Sequence, residues 1–416
     1  MKIAVVGLGY VGLPLAVEAN KVGIAVLGLD TDATLVSGLV AGRSHIEDVS
    51  SEDLKEALGA GFEPSSDPSG LSGVDAIIIT VPTPLTSHLP DLSAVRSAAA
   101  TIGDHLQRGQ LVILESTSYP GTTEEVVGVI LQQKTGLVPG QDFYLAFSPE
   151  RIDPGNGVFG LRNTPKVVGG VNEASTAAAA ALYGKFVEQV VPVSGTREAE
   201  MSKLLENTYR HVNIALVNEM AVFCHEMGID LWESIRAASS KGFGFQAFYP
   251  GPGVGGHCIP IDPNYLSSRV RELGYPFRFV ELAQEINNRM PAYVIGRVSK
   301  LLNQVGRPVN GTRILLLGVA YKADISDVRE SPAIEIARRL IALGADVSYA
   351  DPHVERFMVD GRPVLRSTDV LAALEETDLA LLLVAHSTFD LHAIAERSPR
   401  LLDTRGVASG RSVERL

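Results

Sequence analysis

Cys258, one of only two cysteines, lies in the run Pro250-Gly251-Pro252-Gly253-Val254-Gly255-Gly256-His257-Cys258-Ile259-Pro260-Ile261-Asp262-Pro263. Glycine contributes no side chain and loses the most backbone freedom on folding, so four in one run do not build a core. They let backbone approach a ligand closely and hold a cysteine in an exposed tight turn. A thiol so placed is a nucleophile, with Asp262 one turn away to assist. Equally, a free cysteine is most often a small core hydrophobe. The run alone leaves both readings open. The other cysteine, within Val222-Phe223-Cys224, reads as core.

A second set of chemically capable residues lies on a helix that the spacing predicts from Thr196 to about Gly228. Glu200, Lys203, Asn207 and Arg210 recur at three- and four-residue steps, which puts them on one face. Leu204, Leu205, Val212, Leu216 and Val217 cover much of the rest. A polar stripe on a helix is ordinarily a solvated face. With flanks apolar nearly all round, the other reading is a stripe that looks into a pocket.

The elements that position these residues follow from the pattern. Lys2 to Val6 is an apolar run without alternation, the mark of a strand buried on both faces. It feeds Gly7-Leu8-Gly9-Tyr10-Val11-Gly12, a helix begins at Pro14, and a second strand, Ile24 to Leu29, ends at Asp30. A Gly-x-Gly-x-x-Gly turn between strand and helix is the dinucleotide fingerprint. A carboxylate about 20 residues on accepts from a ribose 2'-hydroxyl and repels a 2'-phosphate, so Asp30 favours NAD over NADP. Further strands are expected at Ala76 to Val81, Leu111 to Leu114, Tyr144 to Phe147, Val167-Val168 and Val190-Val191. Thr83, Thr117, Glu150 and Arg151 follow strand ends directly. In an open parallel sheet they line the crevice where ligands sit, although each threonine alone is also ordinary turn chemistry. Thr122 with Glu125 reads as a capping box.

Short helices are expected at Asp230 to Ala238 and Leu266 to Leu273, with a longer one from Phe279 to Leu302 kinked or interrupted at Pro291. Arg313 to Leu317 opens a second doubly wound sheet, continued by Val347 to Ala350, Leu379 to Val384 and Leu401-Leu402, with Ser331-Pro332 capping a helix. Gly318-Val319-Ala320-Tyr321 lacks the phosphate fingerprint, so this sheet is expected to bind something other than a dinucleotide. Lys322 and Arg329, in the loop after its first strand, either hold a phosphate or are a charged surface loop. The fold class is therefore α/β, two doubly wound Rossmann-like domains joined by a helical central domain. The divisions are 1-195, 196-305 and 306-416, in keeping with a 416-residue chain too long for one core.

The totals exclude several functions. Two cysteines build no disulfide framework and no Cys-rich zinc site, no histidines show ligand spacing, and no metal is expected. A formal charge of -12 argues against a nucleic-acid surface. No apolar stretch reaches bilayer length, and Met1-Lys2 leads straight into a strand without a signal peptide. A cytoplasmic location is expected, with no membrane partner.

In combination, these motifs resemble the UDP-glucose/GDP-mannose dehydrogenase family. The matching stretches are Gly7 to Pro14, Val81-Pro82-Thr83-Pro84, Ser116-Thr117 with Pro120-Gly121-Thr122, Glu200 to Asn207, Gly255-Gly256-His257-Cys258, and Tyr321-Lys322 through Arg329-Glu330-Ser331-Pro332. They keep the family's order and span the chain. Ser148-Pro149-Glu150-Arg151-Ile152-Asp153-Pro154-Gly155 and Gly-Gly-His-Cys-Ile-Pro resemble the branch acting on UDP-N-acetylhexosamines, and Lys203 to Asn218 is most similar to UDP-N-acetylglucosamine 6-dehydrogenases. Two departures stand out. Pro154 replaces a second glutamate of the UDP-glucose enzymes, and Leu35 replaces a basic residue that reaches the adenosine ribose, which leaves the NAD preference mainly on Asp30.

The resemblance implies a four-electron oxidation of a sugar C6 hydroxyl to a carboxylate with two NAD+. Lys203, held by Asn207, would steady the alkoxide. Cys258 would carry a thiohemiacetal and then a thioester, and Glu150 would activate the hydrolytic water with Thr117 and Asp262 orienting water and Lys203. It implies cofactor contacts from Gly7, Gly9, Tyr10, Val11, Gly12, Asp30, Thr83, Thr117 and Arg329. Substrate contacts would come from Glu150, Arg151, Ile152, Lys203, Asn207, Arg210, Tyr249, Gly253, Gly255 and Lys322. His257 is read as a shape determinant, and a homodimer or higher homo-oligomer is expected through the segment after Thr196. UDP-N-acetylmannosamine and UDP-glucose remain alternative substrates. A two-electron dehydrogenase of the 3-hydroxyacid type, which also places Lys and Asn on a helix, is the more distant alternative.

Overall fold

The computed structural model describes residues 1–46, 48–86, 89–152, 158–256, 259 and 262–416. The chain divides into two compact units, Met1–Glu206 with Asn264–Gly274, and Asn207–Pro263 with Tyr275–Leu416. The division falls inside the 31-residue helix Thr196–Glu226.

The first unit is built on an eight-stranded sheet. Its order is Val190–Pro192, Lys166–Gly170, Tyr144–Phe147, Leu111–Leu114, Ala76–Ile79, Lys2–Val6, Ala25–Leu29, Phe62–Ser65. Ile3, Val5, Ile78 and Ile113 bury one face of it in the main cluster of this unit, and Ala4, Ile77, Ile79 and Val112 are equally buried on the other. Burial of both faces is why these runs carry no polar alternation. The strand order reverses between Lys2–Val6 and Ala76–Ile79, which opens a crevice at the turn Gly7–Gly12.

The sheet is not parallel throughout. Lys166–Gly170 runs antiparallel to Tyr144–Phe147, with Phe147 opposite Gly169 and Ala146 opposite Gly170. A parallel return requires a crossover element, and among the described residues of 148–165 there is no helix. Val190–Pro192 then pairs parallel to the reversed strand after the helix Glu173–Tyr183. The reversal puts Lys166, the first residue of its strand, at the rim where the parallel strands end.

The expected capping box is also corrected. Thr122 has helical backbone and makes no side-chain cap; its hydroxyl donates to the Tyr119 carbonyl at 2.7 Å. Glu200 of the long helix does the capping. Its Oε2 accepts from Gly121 N at 2.6 Å, and its Oε1 accepts from Thr123 N at 2.9 Å and Thr123 Oγ1 at 2.8 Å.

The second unit carries a six-stranded parallel sheet in the order Leu365–Arg366, Asp346–Ala350, Arg313–Leu317, Leu379–Leu382, Leu401–Asp403, Val413–Arg415. Ile314, Leu316, Leu379 and Leu381 face a cluster with Val217, Cys224, Trp232, Met290 and Val294. Leu315, Leu317, Ala380 and Leu382 face Leu374 and Ile394. Cys224 is thus core. Arg278–Asn303 runs as one helix with Pro291 inside it, and Ser331 caps Pro332–Ala342 by accepting from Ala333 N at 3.2 Å.

Burial pushes the Glu200 carboxyl up to about 7, against the Gly121 and Thr123 N–H groups, from an ordinary value of 4.5. A folded-state value above the unfolded one means that the stabilisation is full below pH 4.5 and is lost as pH rises through 7. Glu200→Ala should therefore cost more stability at pH 5 than at pH 8, by about 2–3 kcal/mol. Denaturant unfolding at the two pH values measures the difference, and equal losses would refute this account of Glu200.

Candidate active site

In the first unit the turn after Lys2–Val6 is held from three sides. Gly7 has φ +97°, and a Cβ on Gly12 would lie 1.9 Å from the Gly7 carbonyl oxygen, so neither position accepts a side chain. Thr80 Oγ1 donates to that same oxygen at 2.7 Å. Asp30 Oδ2 accepts from Leu8 N at 2.8 Å, and Asp30 Oδ1 accepts from Asp32 N at 3.0 Å. The side of Gly9 is open, with nothing within 4 Å of a Cβ built there. The helix Gly12–Lys21 starts with no side-chain cap and no acidic residue in its first turn. An open glycine, an uncapped helix start and a partly exposed carboxylate with acceptor capacity left fit a dinucleotide's pyrophosphate and ribose. Tyr10 is exposed and Val11 half-buried beside it.

At the rim of the parallel strands, Lys203 is buried and its Nζ donates to Thr117 Oγ1 at 2.7 Å. Thr83 is buried, and its carbonyl accepts from Tyr265 Oη at 2.5 Å. Glu150 Oε1 accepts from Arg151 N at 2.7 Å and Ile152 N at 2.6 Å, while Oε2 lies 3.3 Å from Lys166 Nζ. Burial pushes the Glu150 carboxyl up, against the Ile152 N–H, the Lys203 charge and the Arg151 N–H. The Arg151 guanidinium is engaged with Glu206 Oε1 at 2.5 Å and the Pro165 carbonyl at 2.9 Å. Lys203, Thr117 and Glu150 are therefore brought together.

In the second unit Asn207 Nδ2 donates to the buried Asp262 Oδ2 at 2.6 Å. Cys258 and His257 lie outside the described residues. The glycines ahead of them pack against other residues of this unit. A Cβ on Gly255 would meet the Glu330 carbonyl oxygen at 2.7 Å and Tyr321 Cβ at 2.9 Å, and one on Gly256 would meet the Tyr321 ring at 2.8 Å. Gly256 N donates to the Arg329 carbonyl at 3.2 Å. These two glycines are thus required by close packing on the loop that carries Lys322 and Arg329, a reason the sequence does not show. Gly253, with φ +137°, lies against Pro332. Behind the run, Gly251 N donates to Asn218 Oδ1 at 2.9 Å and Asn218 Nδ2 donates to Asn287 Oδ1 at 2.9 Å. Asn287 Nδ2 lies 3.4 Å from His211 Nδ1, and burial lowers the His211 imidazole to about 4. Arg210, Tyr249 and Arg329 are exposed, Lys322 is half-buried, and the Arg329 guanidinium pairs with Asp327 Oδ2 at 2.6 Å.

Sequence reasoning missed Glu115, Lys166, Tyr183 and Tyr265. The available signal was the place of Glu115 between a strand end and Ser116-Thr117. Among the described residues, Asp324, His353 and His386 hold potential metal-ligand atoms within 4.8 Å of one another. His386 has no lone pair to offer, because Nδ1 accepts from Asp324 N at 3.0 Å and Nε2 donates to Asp351 Oδ2 at 3.0 Å. No described helix is long and apolar enough to cross a membrane.

Three models of one family match the chain: an NAD binding domain over residues 1–187, a central domain over 197–289 and a UDP binding domain over 315–410. A UDP-N-acetyl-D-mannosamine dehydrogenase of Pyrococcus horikoshii is 39% identical over 356 residues, 85% of this chain and 84% of that one. A UDP-N-acetyl-D-glucosamine 6-dehydrogenase of Pseudomonas aeruginosa is 37% identical over 360 residues, 85% and 83% of the two chains. The solved structure of a UDP-D-ManNAc dehydrogenase from Pyrococcus horikoshii matches with a TM-score of 0.90 at 34% identity, covering 100% of this chain and 99% of that one. With its NAD-binding, central and UDP-binding parts all present, the chain belongs to the UDP-glucose/GDP-mannose dehydrogenase family and is an NAD-dependent oxidoreductase of UDP-sugars.

Proposed function

We propose that the chain oxidises the C6 hydroxyl of a UDP-N-acetylhexosamine, UDP-N-acetylglucosamine first, to the uronic acid with two NAD+ and one water. The observation that carries this reading is the buried Lys203 amine on Thr117, within range of the raised carboxyl of Glu150. We divide the work among a dinucleotide-binding part (1-195), a helical part (196-305) and a UDP-sugar part (306-416). NAD, when bound, accepts the hydride in each oxidation. Lys203 steadies the alkoxide as a positioned charge. The Cys258 thiolate adds to the aldehyde carbon to give a thiohemiacetal, whose oxidation leaves a thioester. Glu150, with Thr117, takes the proton of the water that cleaves the thioester and returns the thiol. Asn207 fixes the Asp262 carboxylate that assists. Gly7, Gly9, Tyr10, Val11, Gly12, Asp30, Thr83, Thr117 and Arg329 meet the cofactor. Glu150, Arg151, Ile152, Lys203, Asn207, Arg210, Tyr249, Gly253, Gly255 and Lys322 meet the substrate. Arg151 would then exchange its Glu206 partner for substrate, a swap between two anionic partners for a planar guanidinium.

UDP-N-acetylmannosamine is the second reading, favoured by the likeness to the UDP-N-acetyl-D-mannosamine dehydrogenase of Pyrococcus horikoshii. Offering UDP-N-acetylglucosamine, UDP-N-acetylmannosamine and UDP-glucose, and counting NADH per sugar consumed, decides the matter. Two NADH from an acetamido sugar is the expected result; one would place the chain with two-electron dehydrogenases. Cys258→Ala should leave UDP-sugar binding intact and abolish acid formation, and acid formed at an undiminished rate would sink the thioester route.

We also propose a homodimer. Tyr209, Leu216 and Phe223 recur every seven residues on the long helix and are 48%, 52% and 45% exposed, an apolar line on one face. Light scattering should give a dimer for the native chain and a monomer for Leu216→Glu/Phe223→Glu. An unchanged mass in the double variant would rule this face out.

A further inference from the structure

Lys166 has no part in the chemistry above, yet it is the most enclosed amine beside it. Its side chain is 5% exposed, that of Glu115 is 0% and that of Glu150 is 9%. The ammonium donates to Glu115 Oε1 and lies 3.3 Å from Glu150 Oε2. Tyr183 Oη donates to Glu115 Oε2 at 2.9 Å, and the Tyr183 ring faces the Lys166 nitrogen at 5.2 Å. The place of Lys166 follows from the reversed strand, since antiparallel pairing returns Lys166 to the rim that Glu115 and Glu150 occupy. The titratable groups facing Glu150 are thus Lys166 on that strand, Glu115 after Leu111–Leu114, Tyr183 on Glu173–Tyr183 and Lys203 on the long helix.

A buried pair that only tied two strands together would need one carboxylate for one amine. Here a single amine meets two, and the second is the proposed base. We propose that Lys166 is a positioning residue for Glu150: its amine, shared between Glu115 and Glu150, anchors Oε2 and couples the protonation of the base to that of Glu115. This inference rests on the reading of Glu150 as the hydrolytic base. Burial and the Lys203 charge push the Lys166 ammonium well down; the Glu115 and Glu150 carboxylates that it meets work against that shift.

A carboxylate base works only when ionised, so activity falls on the acid side. Removing the cation beside Glu150 favours its protonated form, whereas removing the competing carboxylate leaves the cation to Glu150 alone. The acid limb of the kcat profile for NADH formation, with the UDP-N-acetylhexosamine that is oxidised, should therefore move up by about one pH unit in Lys166→Met. It should move down by about one pH unit in Glu115→Gln and return near the native position in the double variant, with KM for the UDP-sugar unchanged throughout. Limbs that stay put, or that shift in the same direction, would show the cluster to be a strand tie and overturn the proposal. Should Lys166→Met fail to fold, the near-isosteric Glu115→Gln and the double variant decide alone, and an unmoved limb in Glu115→Gln overturns it. Glu150→Gln separates the two claims. Loss of the acid limb there with no shift in the other variants defeats only the role of Lys166, whereas a native limb in Glu150→Gln defeats the base assignment itself.

Discussion

In each sheet a glycine follows the first strand, and the N–H after it must find an acceptor. In both units an aspartate at the end of the second strand supplies it. Leu8 N donates to Asp30 at 2.8 Å, and Val319 N donates to Asp351 at 2.7 Å. Gly7 and Gly318 share positive φ, +97° and +76°, and each donates its own N–H to the last residue of the second strand, Leu29 and Ala350. An unmet N–H at this depth would cost about 1–3 kcal/mol, so the carboxylate fixes the turn in both sheets. What differs is what is left over. Asp30 accepts two backbone N–H groups and remains partly exposed. Asp351 is fully enclosed and also accepts from Ala320 N, His353 N, Val354 N and His386 Nε2. Burial works against its charge, but His386 and the Val319 and His353 N–H groups hold the carboxyl down to about 2. One sheet leaves its carboxylate partly exposed, and the other consumes its own internally. The expectation that the second sheet binds something other than a dinucleotide has its physical reason here.

The glycine run around Cys258 obeys a similar economy. Gly255 and Gly256 are pressed onto the loop from Tyr321 to Glu330, and Gly251 is tied through Asn218 to Asn287. The loop's path ahead of the cysteine is set by a second-sheet loop and a buried amide line. Freedom in the run itself does not set it.

Much of this fold was legible because buried parallel strands and amphipathic helices write themselves locally. Lys2–Val6, Leu111–Leu114, Tyr144–Phe147 and Arg313–Leu317 match the apolar runs residue for residue. Phe62–Ser65 did not show, since an edge strand carrying Glu63 and Pro64 has neither the run nor the alternation. Leu365–Arg366 is too short to leave a pattern. The direction of Lys166–Gly170 was unreadable for another reason: the same residues serve either polarity, and the connection decides. The site divides in the same way. Helical spacing singled out Lys203 and Asn207 as candidates, and strand ends singled out Thr117 and Glu150. Lys166 gave no sign, because its partners lie 51 and 16 residues away and only the reversal unites them. The apparent capping box at Thr122 failed likewise to a distant competitor, Glu200, which lies 77 residues from Thr123.

The buried carboxylates also show which acids do structural work and which are left able to act. Glu200 accepts donors on both oxygens, three in all, from one helix start. Moving it would break the turn at Gly121, so it is held to one task. Asp351 is more saturated still. Glu150 differs in how its donors are arranged. Both backbone N–H groups fall on Oε1, and among the described residues Oε2 faces the Lys166 amine alone, at the long end of hydrogen-bond range. One oxygen fixes the side chain in space, and the other keeps a lone pair for a proton. Burial has raised the proton affinity of the carboxyl, and no second donor to Oε2 lies among the described residues. That arrangement suits the proposed role of Glu150, since a base must be held still yet have somewhere for the proton to go. Sequence position does not distinguish Glu150 from Glu200, for both are acids beside apolar runs. The count and placement of donors does, and it is a property of the folded chain alone.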